Sequence, residues 1–123
     1  MKKSLFLFML LASFLFIGCG KKQDAKLLVS AFLDNNLKNT DIGSISYSDL
    51  DSTIYINDSI IGVMHQQADT MKAFKPKIVY DKVKALDDTV LYIKVKFKQN
   101  NEKQTYIVYF DHALQHVLAI KRY

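Results

Sequence analysis

The chain has 123 residues, a size that suits one small domain with a single core. Seventeen Lys and Arg against twelve Asp and Glu leave a net charge of +5. That is mildly basic and lacks the dense Lys/Arg clustering with which proteins bind phosphate backbones, so no nucleic-acid partner is expected. The one cysteine, Cys19, excludes an internal disulfide.

Lys2 and Lys3 open the chain, and Ser4 to Ile17 is then apolar apart from Ser4 and Ser13. The run is shorter than the ~20 apolar residues that cross a bilayer but suits a signal-peptide core of about 7–15 residues. "FIGCG" follows, and Lys21 and Lys22 close the apolar stretch. Phe16-Ile17-Gly18-Cys19 resembles the lipobox of bacterial lipoproteins, in which Leu, a small residue and Gly or Ala precede Cys. Gly18 and Cys19 hold its last two positions; Phe16 stands where leucine is usual, with Leu15 one residue out of register. The resemblance implies that Cys19 receives a diacylglycerol thioether, becomes the first residue after cleavage and is often acylated on its new amine. An uncleaved membrane anchor is the competing reading. At about 0.8 kcal/mol per buried CH₂, two or three acyl chains hold a protein stably on a membrane. The expected division is a signal peptide over 1–18, the lipidated cysteine and a tether over 19–24, and one α+β domain over 25–123. Removing the signal lowers the net charge by two, since Lys2 and Lys3 leave with it. Lys21, Lys22 and Lys26 lie beside the lipid and read as solvated charges. "GKKQD" holds only Asp24, a weak match to acidic surface-export signals, and Gly20 stands where an aspartate would retain the protein at the inner membrane. The resemblance therefore implies the cell envelope, at the outer membrane facing the periplasm.

"DAKLLVSAFLDNNLK" (24–38) predicts an amphipathic helix capped by Asp24, with Ala25, Leu28, Val29, Phe32 and Leu33 on one face. Residues 42–56 predict one short strand and a turn. Asn57 or Asp58 is expected to cap a second helix, "SIIGVMHQQADTMKAF", with Ile61, Met64, Ala68 and Met71 inward; Gly62 costs it up to about 1 kcal/mol, and Pro76 ends it. From Lys77 the period becomes two. "KIVYDKVKAL", "TVLYIKVKFKQ", "QTYIVYFD" and "HVLAIKRY" predict a four-stranded antiparallel meander. A four-residue loop at 100–103 would set Phe97 opposite Tyr106, Val95 opposite Val108 and Ile93 opposite Phe110. For the last strand, either Val117 and Ala119 or Leu118 and Ile120 could face inward.

The expected architecture is α+β, with two helices packed on a curved four-stranded antiparallel sheet. "KLLVSAFLDNNLKNTD" resembles the opening helix of cystatin-like domains found in small bacterial lipoproteins, with Val29, Phe32, Leu33, Leu37 and Asp41 matching the pattern. That resemblance covers sixteen residues plus the element order and implies a cystatin-like fold.

Chemistry is sparse. His112 and His116 in "DHALQH" have a zinc-compatible i, i+4 spacing on a helix, but they fall between strands and lack the glutamate of H-E-x-x-H. Asp49, Asp51 and Asp58 do not make a calcium loop, because Ile54 stands where the sixth-position glycine belongs. No metal and no cofactor is expected. Asp111 near Tyr106 is the one faint acid/base pairing, and no catalytic residue is assigned. Lys94, Lys96 and Lys98, extended by Lys82 and Lys84, form a basic sheet face suited to an acidic partner, although such stripes also serve simply to blunt edge pairing. Tyr92, Tyr106 and Tyr109 are candidate pocket residues for a small ligand, or ordinary half-buried strand tyrosines. Two functions are expected to compete. One is a non-enzymatic, lipid-anchored module that binds an envelope protein or a small ligand. The other is a small pocket enzyme of isomerase or cyclase type, as some cystatin-like domains are.

Overall fold

The computed structural model describes residues 20–81, 83, 85–86 and 88–123. The architecture is α+β, with two helices and an open antiparallel sheet of five strands. Helix α1 runs over 20–36, followed by β1 (Gly43–Tyr47), β2 (Asp51–Thr53), α2 (Asp58–Ala68), β3 (Val90–Gln99), β4 (Glu102–Phe110) and β5 (Val117–Arg122).

The apolar spacing of α1 is realised as predicted. Ala25, Val29, Phe32 and Leu33 are buried, Leu28 is half-buried, and the polar side chains between them face out. Its start is corrected. Residues 20–24 are already helical, so Asp24 is not the cap. At its far end Asn36 is buried and bonded on both sides. Its amide donates to the Phe32 carbonyl at 2.9 Å, and its Oδ1 accepts from Val79 N–H at 3.0 Å. Leu37 then bridges Phe74, with Lys38 N–H donating to the Ala73 carbonyl and Lys75 N–H to the Asn36 carbonyl.

Asn57 caps α2, its Oδ1 accepting from Ile60 N–H at 2.9 Å. The helix stops at Ala68, well before Pro76, and Met71 packs from the turn that follows. It lies along β5 and straddles the sheet edge. Ala68 joins the core under α1, whereas Met64 joins a smaller cluster on the opposite face.

The sheet order is β1–β3–β4–β5, and β2 also pairs with β3, beyond β1 on the same edge. This corrects the predicted four-stranded sheet. The expected strand over 77–86 is not one in the described residues, and its place beside β3 is taken by β1 and β2. The alternation there serves a strap. Ile78 and Tyr80 pack under α1, Val79 points out, and Val83 and Leu86 pack onto the other face.

The β3–β4 register is also corrected, by two residues. Asn100 and Asn101 both take positive φ, 52° and 65°, making a two-residue turn of the kind whose twist matches a hairpin. Gln99 therefore opposes Glu102, Val95 opposes Tyr106, Ile93 opposes Val108 and Leu91 opposes Phe110. A shift of two keeps every side chain on its predicted face. In β5 a bulge opposite Tyr109/Phe110 resolves the inward-facing question, because Val117, Leu118, Ala119 and Ile120 are all buried, divided between the two clusters.

Candidate binding face

The sheet has two unlike faces. Leu91, Ile93, Val95 and Phe97 of β3 and Tyr106, Val108 and Phe110 of β4 lie under α1 in the main core. The opposite face carries Tyr92, Lys94, Lys96 and Lys98 of β3, Lys103, Thr105, Ile107 and Tyr109 of β4, and Ala119 and Lys121 of β5. One end of this second face is covered by Ile56, Ile61, Met64, Val83 and Leu86. The other end is open and holds the lysines.

The predicted Lys94, Lys96 and Lys98 thus share one face, and the pairing adds Lys103 opposite Lys98 and Lys121 beyond Ile107. All but the half-buried Lys94 are exposed. The ion pairs among the described residues are Lys22–Asp49 and Asp81–His116, so none of these five lysines has a carboxylate partner there. Lys94 Nζ lies 3.8 Å from the centre of the Tyr123 ring, which holds its charge over the open face. Lys82 and Lys84 lie outside the described residues, as does Cys19.

The three candidate tyrosines do not line one space. Tyr92 and Tyr109 are neighbours on the open face, their ring centres 5.9 Å apart. Tyr106 points the other way into the core, edge-on to Phe74, and its hydroxyl donates to Gln104 Oε1 at 3.0 Å. Burial holds the Tyr109 phenol above its ordinary pKa, helped by neighbouring Tyr92, and burial raises Tyr106 as well.

Two open grooves meet at Tyr109. The larger, about 660 Å³, lies between residues 52–56 and the floor formed by Tyr92, Ile107 and Tyr109. The smaller, about 350 Å³, runs between Ile60, Val63 and Met64 of α2 and Tyr109, and reaches Lys121. Ile56 belongs to both. Their rims are unusually apolar for exposed surface: Ile54 is 67% exposed, Tyr55 80% and Val63 51%. Sequence reasoning missed this rim and Lys121. The residues come from three separate stretches, and Lys121 reaches this face by pairing with Ile107 across β4.

The remaining polar candidates are engaged structurally. His65 lies 2.6 Å from the Leu118 carbonyl through Nε2, so that nitrogen carries a proton and donates to the edge of β5. The His65 ring stacks on Tyr80 with centres 3.8 Å apart. The Tyr80 hydroxyl is enclosed with no partner among the described residues, and burial, with Asp69 adding to it, pushes its pKa well up. His116 pairs with Asp81 at 3.2 Å, and Asp111 Oδ1 accepts from the Gln115 and His116 N–H groups, both at 2.8 Å. Asp111 therefore holds the β4–β5 turn rather than facing Tyr106. Asp49 pairs with Lys22, Asp51 Oδ1 accepts from Ser52 N–H, and Asp58 begins α2, so the three do not converge. Among the described residues no three His, Cys, Asp or Glu side chains group as metal ligands.

No family model, no curated protein and no solved structure matches the chain. The functional argument therefore rests on the open face. A flat, one-signed array of lysines beside an apolar groove is suited to binding, because charge gives selectivity and the groove gives area to bury.

Proposed function

We propose that the protein is a lipid-anchored lipoprotein of the cell envelope, held through Cys19 and built on a cystatin-like domain, that acts as a non-enzymatic interaction module. The observation that carries the binding role is the open half of the sheet, where lysines with no ion-pair partner among the described residues share a face with the apolar grooves that bear exposed Ile54, Tyr55 and Val63. The anchor rests on the lipobox resemblance at Gly18-Cys19. A lipid on Cys19 would hold the domain close to the bilayer, with its outward surface presented to other envelope components. None of the described helices is long and apolar enough to cross a membrane. The lipobox resemblance, with Gly20 directly after Cys19, implies that this bilayer is the outer membrane, with the domain facing the periplasm.

Mass spectrometry of the membrane fraction tests the anchor. The mature N-terminus is expected at Cys19 with a diacylglycerol mass, and Cys19→Ser is expected to abolish both cleavage and acylation. A Cys19→Ser protein processed and anchored like the wild type would remove the anchor. Crosslinking in the intact envelope tests the module. Specific adducts should be lost when Lys94, Lys96 and Lys98 are reversed to Glu, and adducts indifferent to that reversal would count against it.

A further inference from the structure

We propose that the open half of the sheet is the docking site for an acidic amphipathic helix of a partner protein. Its apolar side would lie in the groove floored by Tyr92, Ile107 and Tyr109, and its carboxylates on Lys94, Lys96, Lys98 and Lys121. This deepens the interaction-module reading and rests on it.

Charge complementarity selects an acidic partner. The open half of the face carries five lysines with no ion-pair partner among the described residues. Among the described residues the strand carboxylate on this face is Asp51, at the tyrosine end, where the Tyr92 hydroxyl donates to it at 3.4 Å; Glu102, paired with Gln99, lies on the other face.

Backbone physics selects a helix over an extended segment. The N–H and C=O groups of β3 and β4 point at one another in the plane of the sheet, so this face offers an extended chain nothing for its own backbone groups. A helix arrives with its backbone satisfied and needs only side-chain contacts. Spacing agrees. Alternate lysines on a strand stand about 6.6–6.8 Å apart, and glutamates at i, i+4 and i+8 on a helix rise about 6 Å each. The opposite face already carries a helix, α1, so a second one would complete a helix–sheet–helix sandwich.

The groove selects protein over membrane or glycan. A flat lipid surface would meet the lysines but not enter the recess beneath Ile54 and Ile56, and an anionic glycan would leave exposed Ile60 and Val63 unburied.

The test uses the full-length protein in phosphatidylcholine nanodiscs, with empty nanodiscs subtracted. The probe is a fluorescein-labelled Glu/Leu helix read by anisotropy. A Lys/Leu helix and a Glu/Ser peptide of equal charge serve as comparisons. Saturable binding of the Glu/Leu helix alone is expected, at least tenfold weaker in Lys96→Glu/Lys98→Glu/Lys121→Glu and several-fold weaker in Ile54→Ser/Tyr55→Ser. All five positions are exposed, so both variants should melt like the wild type, and circular dichroism checks this. No binding, binding unaffected by the lysine reversals, or equal binding of the Glu/Ser peptide would overturn the proposal. So would displacement of the Glu/Leu helix by phosphatidylglycerol vesicles or by polygalacturonate. If the peptide fails while lysine-dependent crosslinks persist in the envelope, the helix is wrong and the interaction module survives. If the wild-type protein gives no crosslinks that depend on these lysines, the module itself is removed.

Discussion

The two faces of the sheet are made by the same strands from alternate residues, yet they have opposite fates. Ile93, Val95 and Phe97 are almost wholly buried under α1, while Lys96 and Lys98 between and beside them are exposed. The covered face is a dry core closed by aromatic contacts such as Phe74 on Tyr106 and Phe97 on Tyr106. The other is closed only at the Val90–Tyr109–Ala119 end by the strap and by α2. What covers a sheet face decides whether it contributes stability or remains available for contacts. Stability should therefore reside on the α1 side, and binding on the other.

Neighbouring substitutions test that division most strongly. Ile93→Ala is expected to cost about 2–5 kcal/mol in urea unfolding, because it leaves a cavity under α1. Lys96→Ala, three residues on and facing out, should stay within about 0.5 kcal/mol. Comparable losses at the two would erase the contrast between the faces.

Asn36 tests how the strap is tied to the covered side. Asn36→Leu removes the acceptor for Val79 N–H, and a cost of about 1–3 kcal/mol is expected. Faster amide exchange at Val79 should accompany it; a stability loss with unchanged exchange there would show that packing matters and the hydrogen bond does not.

The turn that sets the register for both faces gives a smaller effect. Replacing Asn100 and Asn101 with alanine should cost about 1–2 kcal/mol, since both hold left-handed backbone. Asn101→Gly should be neutral or stabilising. If the alanine pair were harmless, the two-residue turn would not be what sets the pairing.

Alkaline pH gives the mildest probe. Burial raises the phenols of Tyr47, Tyr80, Tyr106 and Tyr109 above the ordinary 10.0. Each then binds its proton more tightly folded than unfolded. Their contribution is complete below about pH 10 and is lost as pH rises through the higher folded values. Tyr80→Phe removes a hydroxyl with no partner among the described residues. It should leave neutral-pH stability within about 0.5 kcal/mol and make the alkaline decline shallower. An unchanged alkaline profile would mean that the Tyr80 hydroxyl does not titrate with unfolding.

Much of this contrast could be read from local pattern. The period of α1 identifies its buried side, and the alternation in "LYIKVKFK" separates the apolar residues from the lysines whatever the register. A two-residue slip in pairing leaves that separation intact, which is why the register was misjudged while the faces were not. Other features escaped for physical reasons. Residues 43–53 and 77–86 have comparable strand-like alternation, so the partner at the outer edge of β3 depends on which segment the rest of the fold frees. Tyr80 stacked on His65, and Val79 tied to Asn36, divert 77–81 from the sheet. The predicted pairing of Tyr106 with Phe97 already sets Tyr106 on the face away from Tyr92, and the observed pairing with Val95 keeps it there, so strand alternation alone separates Tyr106 from Tyr92 and Tyr109.

The amino-acid order by itself determined the amphipathic faces of α1 and the strands and the lysine stripe, because periodicity of three to four or of two is a local property of the chain. Only the tertiary structure decided which segment edges the sheet, where α2 stops, and that the groove bearing Ile54 and the groove bearing Val63 and Lys121 meet at Tyr109. Those outcomes come from competition among distant segments for the same neighbours, and no local window of residues records who wins.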